Sequence, residues 1–228
     1  MSHASPSGAR RTEEELLMAV IHDIRRHARR SAARAQMIER ELTAPLAPAL
    51  RAHLDEIVAA SRDMDSLLSR LAQYAVAASS SEDQPCGDIC VMFDSALRRL
   101  VDRNKGAEIY SDPIRCCGIQ VPYSIEGVLR ELLDNALKFR EGPVKITILV
   151  ERSSGTHMFG IRDTGIGFDP QYCERIMLPL ERLHPQDLYG GCGMGLAISQ
   201  RTDEAVGGKL WAESKLNSGS TFWFTLPV

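Results

Sequence analysis

The stretch Gly190-Gly-Cys-Gly-Met-Gly-Leu-Ala-Ile198 places four glycines directly before a run of helix-forming residues. Repeated glycines leave several backbone N–H groups able to point at one anion, and the N-terminus of the following helix adds partial positive charge. The stretch therefore indicates a phosphate-binding loop. It lacks the lysine and Ser/Thr of a Walker loop, and it does not follow the first strand of a βαβ unit, as a Rossmann fingerprint would. A flexible loop without function is the alternative.

A second motif, Asp163-Thr-Gly-Ile-Gly-Phe-Asp169, follows an apolar run that predicts a strand. The carboxylate of Asp163 can accept a hydrogen bond from the exocyclic amino group of adenine, where guanine carries a carbonyl. Gly165 and Gly167 allow a sharp turn and a close approach of the backbone to a flat base. Taken alone, the motif is equally typical of a hairpin turn.

A third motif, Glu131-Leu-Leu-Asp-Asn-Ala-Leu-Lys-Phe-Arg140, has the spacing of a helix. Glu131, Asn135 and Lys138 share one face of that helix. An amide oxygen suits Mg²⁺, and a lysine on the same face can reach phosphate oxygens. A polar face that serves only solubility is the ordinary alternative.

The chain around these motifs alternates between helical and strand patterns. Residues 91–103 and 124–140 are predicted helices, and four short apolar or alternating runs are predicted strands: Val144–Val150, Met158–Arg162, Leu210–Ser214 and Thr221–Leu226. Adjacent strand pairs mixed with helices predict an α/β sandwich, in which helices cover one face of a mixed sheet.

The first third of the chain differs, because no glycine occurs between Thr12 and Ala78. Apolar or small residues recur there at steps of four and three, as in a heptad seam on each of two helices. The seam residues are Leu17, Ile21, Ile24, Ala28, Ser31, Ala35, Ile38 and Leu42, followed by Leu50, Leu54, Ile57, Ser61, Met64, Leu68, Leu71 and Ala75. The break at Thr43-Ala44-Pro45 predicts an antiparallel hairpin. Two hairpins that pair into a four-helix bundle would bury the seam, so we predict a homodimer; a monomeric hairpin packed on the second half is the alternative.

The predicted organisation is α+β: a disordered N-terminus at 1–11, a helical hairpin at 12–78, a linker at 79–85 and the sandwich at 86–228. The net charge of −3 gives no indication of nucleic-acid binding, and no apolar run is long enough for a membrane span. The N-terminus lacks the apolar core of a secretory signal. The six cysteines lack the spacing of a zinc site or a disulfide framework, so we expect reduced thiols in a cytoplasmic protein.

His22, followed by Asp23, lies near the start of the first helix. It falls one position beyond the seam residue Ile21 and should therefore face solvent. A neutral imidazole has a lone pair able to attack phosphorus, and Asp23 can orient the ring and accept its proton. Most surface histidines are merely solvated. The hypothesis that His22 accepts a phosphoryl group therefore depends on the nucleotide motifs elsewhere in the chain. His27 and His53 are rivals without an adjacent acid.

Together, the order and spacing of these motifs resemble the catalytic core of sensor histidine kinases and the wider GHKL superfamily, over about residues 12–228. Asn135 lies in a segment similar to the N box, Asp163–Gly167 resembles the first glycine box, and Gly191–Gly195 resembles the second. Gly219-Ser-Thr-Phe222 resembles the closing element, His22-Asp-Ile-Arg25 the H box, and Ile176–His184 an aromatic box of phytochrome-like kinases.

The resemblance implies a Bergerat-type ATP-binding fold and a kinase that phosphorylates its own His22 from Mg-ATP. The phosphoryl group would pass to an aspartate of a response-regulator receiver domain, and an upstream sensor domain or protein would supply the signal. Asn135 would hold Mg²⁺, and Lys138 and Arg140 would contact phosphates. Asp163 would recognise adenine, with Thr221 beside it through water. A mobile lid from about Phe168 would carry Gly191, Gly193, Gly195 and Leu196.

The sequence departs from the family pattern at several positions. Met177 and Leu180 replace phenylalanines of the aromatic box, and His27 stands where a helix-kinking proline is usual. Arg26 occupies the position that orients water in members with phosphatase activity, so we expect weak or absent phosphatase activity. A basic stretch at Arg25, Arg26, Arg29, Arg30 and Arg34 is either a solvated helix face or a docking surface for an acidic receiver.

Two alternatives to a histidine kinase stay open at this point. One is an ATP hydrolase of the same superfamily, in which Glu131 would activate water. The other is a dimeric phosphotransfer scaffold with a weak or decayed ATP site.

Overall fold

A computed structural model describes residues 6–41, 47–78, 85–104, 109–111, 118–153, 155–184 and 189–227. The chain divides into two compact units, Met1–Val76 and Ala77–Val228. The first is helical and the second contains both helices and strands. The predicted turn at Thr43-Ala44-Pro45 and most of the predicted linker, 79–84, lie outside the described residues.

The first unit is a hairpin of two long helices, α1 (Pro6–Glu41) and α2 (Pro48–Val76). The prediction of a disordered segment at 1–11 is wrong for its second part, because α1 already begins at Pro6. Proline is well suited to the first position of a helix, where its fixed φ is helical and its missing N–H is not needed. Residues 1–5 lie outside the described part of the chain.

The two helices run antiparallel, since Arg29 pairs with Asp65 at one level and Glu39 with Arg51 at another. Within the hairpin every second seam residue is buried, at a spacing of seven residues: Ile21, Ala28 and Ala35 on α1, and Leu54, Ser61, Leu68 and Ala75 on α2. The alternate apolar positions remain 41–47% exposed, namely Ile24, Ile38, Leu50, Ile57 and Met64. A single hairpin therefore buries one half of the predicted heptad seam and leaves the other half in contact with solvent.

The second unit contains seven strands and three α-helices among its described residues. In chain order they are β1 (Cys86–Asp88), α3 (Ile89–Arg103), β2 (Ile109–Ser111), β3 (Gln120–Pro122), α4 (Ile125–Lys138), β4 (Val144–Ser153), β5 (Thr156–Asp163), α5 (Gly195–Ala205), β6 (Leu210–Ser214) and β7 (Ser220–Pro227), with 3₁₀ turns at Pro170–Tyr172 and Arg175–Met177. Five strands form a mixed sheet in the order β2-β4-β5-β7-β6, in which only β2 and β4 are parallel. β1 and β3 form a separate antiparallel pair.

The hydrophobic core lies between the three helices and one face of the mixed sheet. Alternate residues of the strands, such as Ile146, Phe159 and Phe224, meet Leu129 and Leu133 of α4 there. This arrangement confirms the predicted sandwich and the four predicted strands. The strands β1, β2 and β3 were not predicted, because three residues are too few to show an alternating pattern.

Among the described residues, no helix is both long and apolar enough to cross a bilayer. The cysteines that the structure describes form no disulfide with one another; they are Cys86, Cys90, Cys173 and Cys192. Cys116 and Cys117 lie outside the described residues.

Candidate functional site

Asp163 ends β5 and is the buried acid of the first glycine motif, with 5% of its surface exposed. Its Oδ1 accepts hydrogen bonds from the backbone N–H of Gly165 at 2.8 Å and of Ser220 at 3.3 Å. Burial raises the pKa of this carboxyl to about 6, although the two N–H donors act in the opposite direction. Near neutral pH the group is therefore a largely ionised acceptor inside the fold.

The glycines of this motif allow other backbone segments to come close. A Cβ atom at Gly165 would lie 2.2 Å from the carbonyl oxygen of Phe139, just beyond α4. A Cβ at Gly167, where φ is +59°, would lie 2.1 Å from the carbonyl of Lys215 in the β6–β7 turn. The Asp163–Gly167 loop is thus packed between the end of α4 and the β6–β7 turn. This packing requires glycine at positions 165 and 167, where a Cβ would collide with backbone.

Thr221 contacts Arg162 in this structure, and the role predicted for it in adenine recognition through water stays a prediction. Thr221 pairs with Arg162 across β5 and β7, and its Oγ1 accepts a hydrogen bond from Arg162 Nε at 3.2 Å. Because successive side chains of a strand point to opposite faces, Thr221 faces away from the core that Phe222 enters. Ser220, whose N–H binds Asp163, is the residue of β7 that lies next to this acid.

The polar face of α4 approaches the glycine loop at two points. A Cβ at Gly195 would lie 2.4 Å from Glu131 Oε2, so the Glu131 carboxylate contacts the first residue of α5. A Cβ at Gly191 would lie 3.3 Å from Lys138 Nζ. The third and first motifs are therefore adjacent in the fold, although these contacts join residues more than 50 positions apart in the sequence.

Asn135 lies half-buried on the same face of α4, and its side-chain amide makes no hydrogen bond to another described residue. This leaves its oxygen available to a cation. The described residues contain no cluster of three or more His, Cys, Asp or Glu side chains that could hold a metal. A single amide oxygen would suit Mg²⁺ if phosphates bind nearby, because Mg²⁺ keeps several waters and binds mainly through phosphates.

Arg140 is directed differently from the predicted phosphate contact. Its Nε donates to the carbonyl of Leu137 at 3.1 Å, and its Nη1 donates to the carbonyl of Gly142. The guanidinium therefore satisfies carbonyl groups at and just beyond the C-terminal end of α4, where helical carbonyls lack intrahelical partners. Leu196, also predicted to bind the nucleotide, is partly buried against the hydrophobic core.

Three rings connect the predicted lid to the end of α4. Phe139 lies 5.8 Å from His184 and 5.1 Å from Tyr189, and the latter two rings are 5.2 Å apart. The Lys138 ammonium lies 4.7 Å from the centre of the Phe139 ring. Residues 185–188, between the two lid rings, lie outside the described residues. The contribution of Phe139 and Tyr189 was missed, although an aromatic residue beside each motif was visible in the sequence.

The two departures in the aromatic box have different environments. Met177 is 6% exposed and belongs to the core, so a flexible thioether fills its site. Leu180 is 59% exposed and has φ of +66°, a conformation that disfavours a residue with a Cβ.

His22 lies on the exposed surface of α1, as predicted from its position beside the seam. Asp23 Oδ1 accepts a hydrogen bond from Arg26 at 2.5 Å, one helical turn later. Arg25 and Arg29 both pair with Asp65 of α2, so three of the five arginines in the basic stretch have partners within the hairpin.

Comparison with known proteins gives matches to a family model, to individual sequences and to solved structures. Residues 120–228 match the family model described as histidine kinase-, DNA gyrase B- and HSP90-like ATPase. Cyanobacterial phytochrome A of Nostoc is 41% identical over 139 residues, which are 60% of this chain and 18% of that protein. The phytochrome-like protein Cph1 of Synechocystis is 30% identical over 91% of this chain and 28% of its own length.

The sensor protein TorS of Escherichia coli is 29% identical over the whole of this chain and 25% of its own length. The chain thus spans less than a third of each of these relatives. Among solved structures, full-length ShkA in complex with AMPPNP is similar over 93% of this chain and 45% of its own, with a TM-score of 0.68 and 23% identity. At that identity the likeness supports the fold alone.

Proposed function

We propose that this chain is the catalytic core of a histidine kinase. Residues 120–228 match the family model described as histidine kinase-, DNA gyrase B- and HSP90-like ATPase, and the chain as a whole is similar to the phytochrome-like protein Cph1 and the sensor protein TorS. It binds ATP with Mg²⁺ and transfers the γ-phosphoryl group to His22. The observation that carries this proposal is the juxtaposition of buried Asp163, the polar face of α4 and the glycine loop within one unit.

The adenine would bind at Asp163. Its carboxylate, ionised above pH 6 and fixed by Gly165 and Ser220, accepts a hydrogen bond from the exocyclic amino group. Thr221, the residue after Ser220, would assist this recognition through water, as predicted. The triphosphate would extend toward Gly191 and Lys138, which lie close together at the C-terminal end of α4.

The metal would be held by the Asn135 amide oxygen and by the phosphates, and when bound it supplies neutralisation of phosphate charge. Lys138 would add a positive charge beside the glycine loop. These groups position the γ-phosphate and offset its charge, which is most of what phosphoryl transfer requires from a protein.

His22 would be the acceptor. One ring nitrogen attacks the γ-phosphorus, the bond to the β-phosphate oxygen breaks, and ADP leaves. The proton on the other ring nitrogen is held or accepted by Asp23, whose Oδ1 is bound to Arg26 in the structure. The exposed position of His22 leaves the imidazole accessible to a separate nucleotide-binding unit.

The phosphohistidine would then donate its phosphoryl group to an aspartate of a receiver domain. Arg30 and Arg34 make no ion pair with a described residue, and they are the arginines that we expect to attract an acidic partner. Input would come from a sensor segment or sensor protein, as the names of the phytochrome relatives suggest. A homodimer would cover the exposed half of the helical seam.

The experiment is incubation of the purified chain with Mg²⁺ and γ-labelled ATP, with His22→Ala and the matched variant His27→Ala. We expect an acid-labile, base-stable label on wild type and His27→Ala and none on His22→Ala. Label that persists in His22→Ala would contradict the assignment of the acceptor. Free phosphate without labelled protein would favour the hydrolase hypothesis, and no ATP binding would favour the scaffold.

A further inference from the structure

The segment Leu180–Arg182 contacts three carbonyl groups of the glycine loop. Arg182 Nη2 donates to the carbonyl of Tyr189 and Arg182 Nη1 to that of Gly191, each at 2.6 Å. The N–H of Leu180 donates to the carbonyl of Gly193 at 3.0 Å. The three carbonyls belong to alternate residues and all point toward the same short segment.

The orientation of these carbonyls determines where the neighbouring N–H groups point. In a trans peptide unit, the C=O of one residue and the N–H of the next point in opposite directions. All peptide bonds described are trans. The N–H groups of Gly190, Cys192 and Met194 therefore point away from Leu180–Arg182, and none of them donates a hydrogen bond to a described residue.

A positive charge lies beside this set of N–H groups. Lys138 Nζ would be 3.3 Å from a Cβ at Gly191, and α5 begins at Gly195, immediately after Met194. The N–H groups of these three alternate residues, the Lys138 ammonium and the start of the eleven-residue helix α5 form a site suited to a phosphate chain.

We propose that Arg182 is a positioning residue, which holds the Tyr189 and Gly191 carbonyls so that the N–H groups of Gly190, Cys192 and Met194 bind the phosphates of the nucleotide. The inference rests on the proposed function of the same site. It assigns to Arg182 a role through the backbone of the loop, by hydrogen bonds to carbonyls rather than to the nucleotide.

The alternative role for an arginine in this loop is direct contact with the γ-phosphate. The two roles differ in their effect on ADP. Loss of the carbonyl contacts weakens the binding of ADP and of ATP by a similar factor, because both nucleotides extend phosphates into the loop. Loss of a direct γ-phosphate contact weakens the binding of ATP and leaves the affinity for ADP unchanged.

The test is equilibrium binding of ADP and ATP to the full chain carrying Arg182→Met, with Arg175→Met as the matched control. Arg175 precedes the Leu180–Arg182 segment, and its Nε donates to Glu181 Oε2 at 2.8 Å rather than to a carbonyl of the glycine loop. We expect the Kd of both nucleotides to rise about tenfold in Arg182→Met, consistent with loss of two charge-assisted hydrogen bonds, and to stay within about twofold in Arg175→Met.

A second measurement is hydrogen exchange of the loop amides. In wild type, ADP should slow hydrogen exchange at the amides of Cys192 and Met194. In Arg182→Met this protection should be lost even at saturating ADP. Protection of the amides around Asp163 should be kept in the variant. Unchanged ADP affinity and loop protection in Arg182→Met would overturn the inference. Failure of wild type to bind ADP would instead overturn the proposed function.

Discussion

The Glu131 carboxylate contacts Gly195 so closely that a Cβ atom there would lie 2.4 Å from Oε2. This contact joins the polar face of α4 to the first residue of α5. It places an acidic group next to the glycine loop, where the nucleotide phosphates would bind. Glycine at this helix start leaves room for the Glu131 carboxylate, although alanine is the better helix former.

Two glycines of the site should respond differently to alanine. In Gly165→Ala the new Cβ meets the Phe139 carbonyl, which is backbone and cannot move, so we expect a loss of about 2–4 kcal/mol in unfolding free energy. In Gly195→Ala the end of the Glu131 side chain can rotate away, so stability should change by less than about 1 kcal/mol. Urea denaturation followed by tryptophan fluorescence measures both, because both tryptophans belong to the ATP-binding unit.

Displacement of Glu131 has a consequence for the proposed reaction. If its carboxylate takes part in phosphoryl transfer, Gly195→Ala should lower the rate of His22 labelling about as much as Glu131→Ala does. A wild-type rate in Gly195→Ala would argue that Glu131 has no part in the reaction.

The ionisation of Asp163 predicts a pH dependence for adenine recognition. Burial raises its pKa to about 6, so the carboxylate that accepts from the amino group is lost as pH falls below 6. The affinity for ADP relative to IDP, which carries a carbonyl at that place, should therefore fall by up to about tenfold per pH unit below 6. The ratio cancels titration of the phosphates themselves. A ratio constant between pH 5 and 7.5 would contradict this assignment, and Asp163→Asn should show no such dependence.

Asp203 predicts a pH dependence of stability that is independent of nucleotide. It is fully buried on α5, neither carboxylate oxygen accepts a hydrogen bond from a described residue, and burial raises its pKa to about 7. The folded state holds a proton that the unfolded chain releases above about pH 4, so stability decreases as pH rises from 4 to 7. The slope is at most about 1.4 kcal/mol per pH unit.

Asp203→Asn should remove this decrease, so the stability of the variant relative to wild type should grow from pH 5 to pH 8. Glu204→Gln is the matched control, because Glu204 is an exposed neighbour with only a secondary effect on the Asp203 pKa. The measurement is the free energy of unfolding of wild type and both variants, taken from denaturation curves at several pH values. Parallel pH profiles for wild type and Asp203→Asn would show that Asp203 is ionised throughout.

The exposed half of the helical seam predicts a dimer contact. Ile57 is 45% exposed in the hairpin, and a glutamate there would bring a charge into the predicted four-helix bundle. Sedimentation should give wild type twice the 25.2 kDa mass of the chain and Ile57→Glu a lower mass at the same concentration. Ala59→Glu, on the exposed outer face of the same helix, should stay dimeric. A monomeric wild type would contradict the prediction.

Much of the fold was predictable because its elements are long and periodic. The heptad spacing from Leu17 to Ala75 predicted the hairpin, and the alternating runs predicted β4 to β7. Three-residue strands such as Ile109–Ser111 carry no such pattern and were not predicted. The start of α1 was predicted six residues too late, at 12 instead of Pro6, because sequence composition defines helix ends poorly.

The candidate site was only partly predictable. Motif spacing brought Asp163, Asn135, Lys138 and the glycines together in the prediction, and the fold of the second unit agrees. The contact of Ser220 with Asp163 was not foreseen, because neighbouring residues on a strand face opposite sides of the sheet and a difference of one residue decides which side chain enters the core. The contacts of Arg140 with carbonyl groups were not foreseen either, because a flexible side chain near a helix end finds such acceptors there.

The sequence alone determined the division into a helical hairpin and an ATP-binding sandwich, the nucleotide motifs and the candidate phosphoacceptor His22, since residue type and spacing carry that information. Only the tertiary structure decided that Ser220 adjoins Asp163 and that Arg182 holds the carbonyls of the glycine loop. It also decided that the carboxylate of Asp203 is buried without a hydrogen bond from any described residue. These relations depend on distances between residues far apart in the chain. Such distances are set by packing of the whole core, which no local pattern encodes.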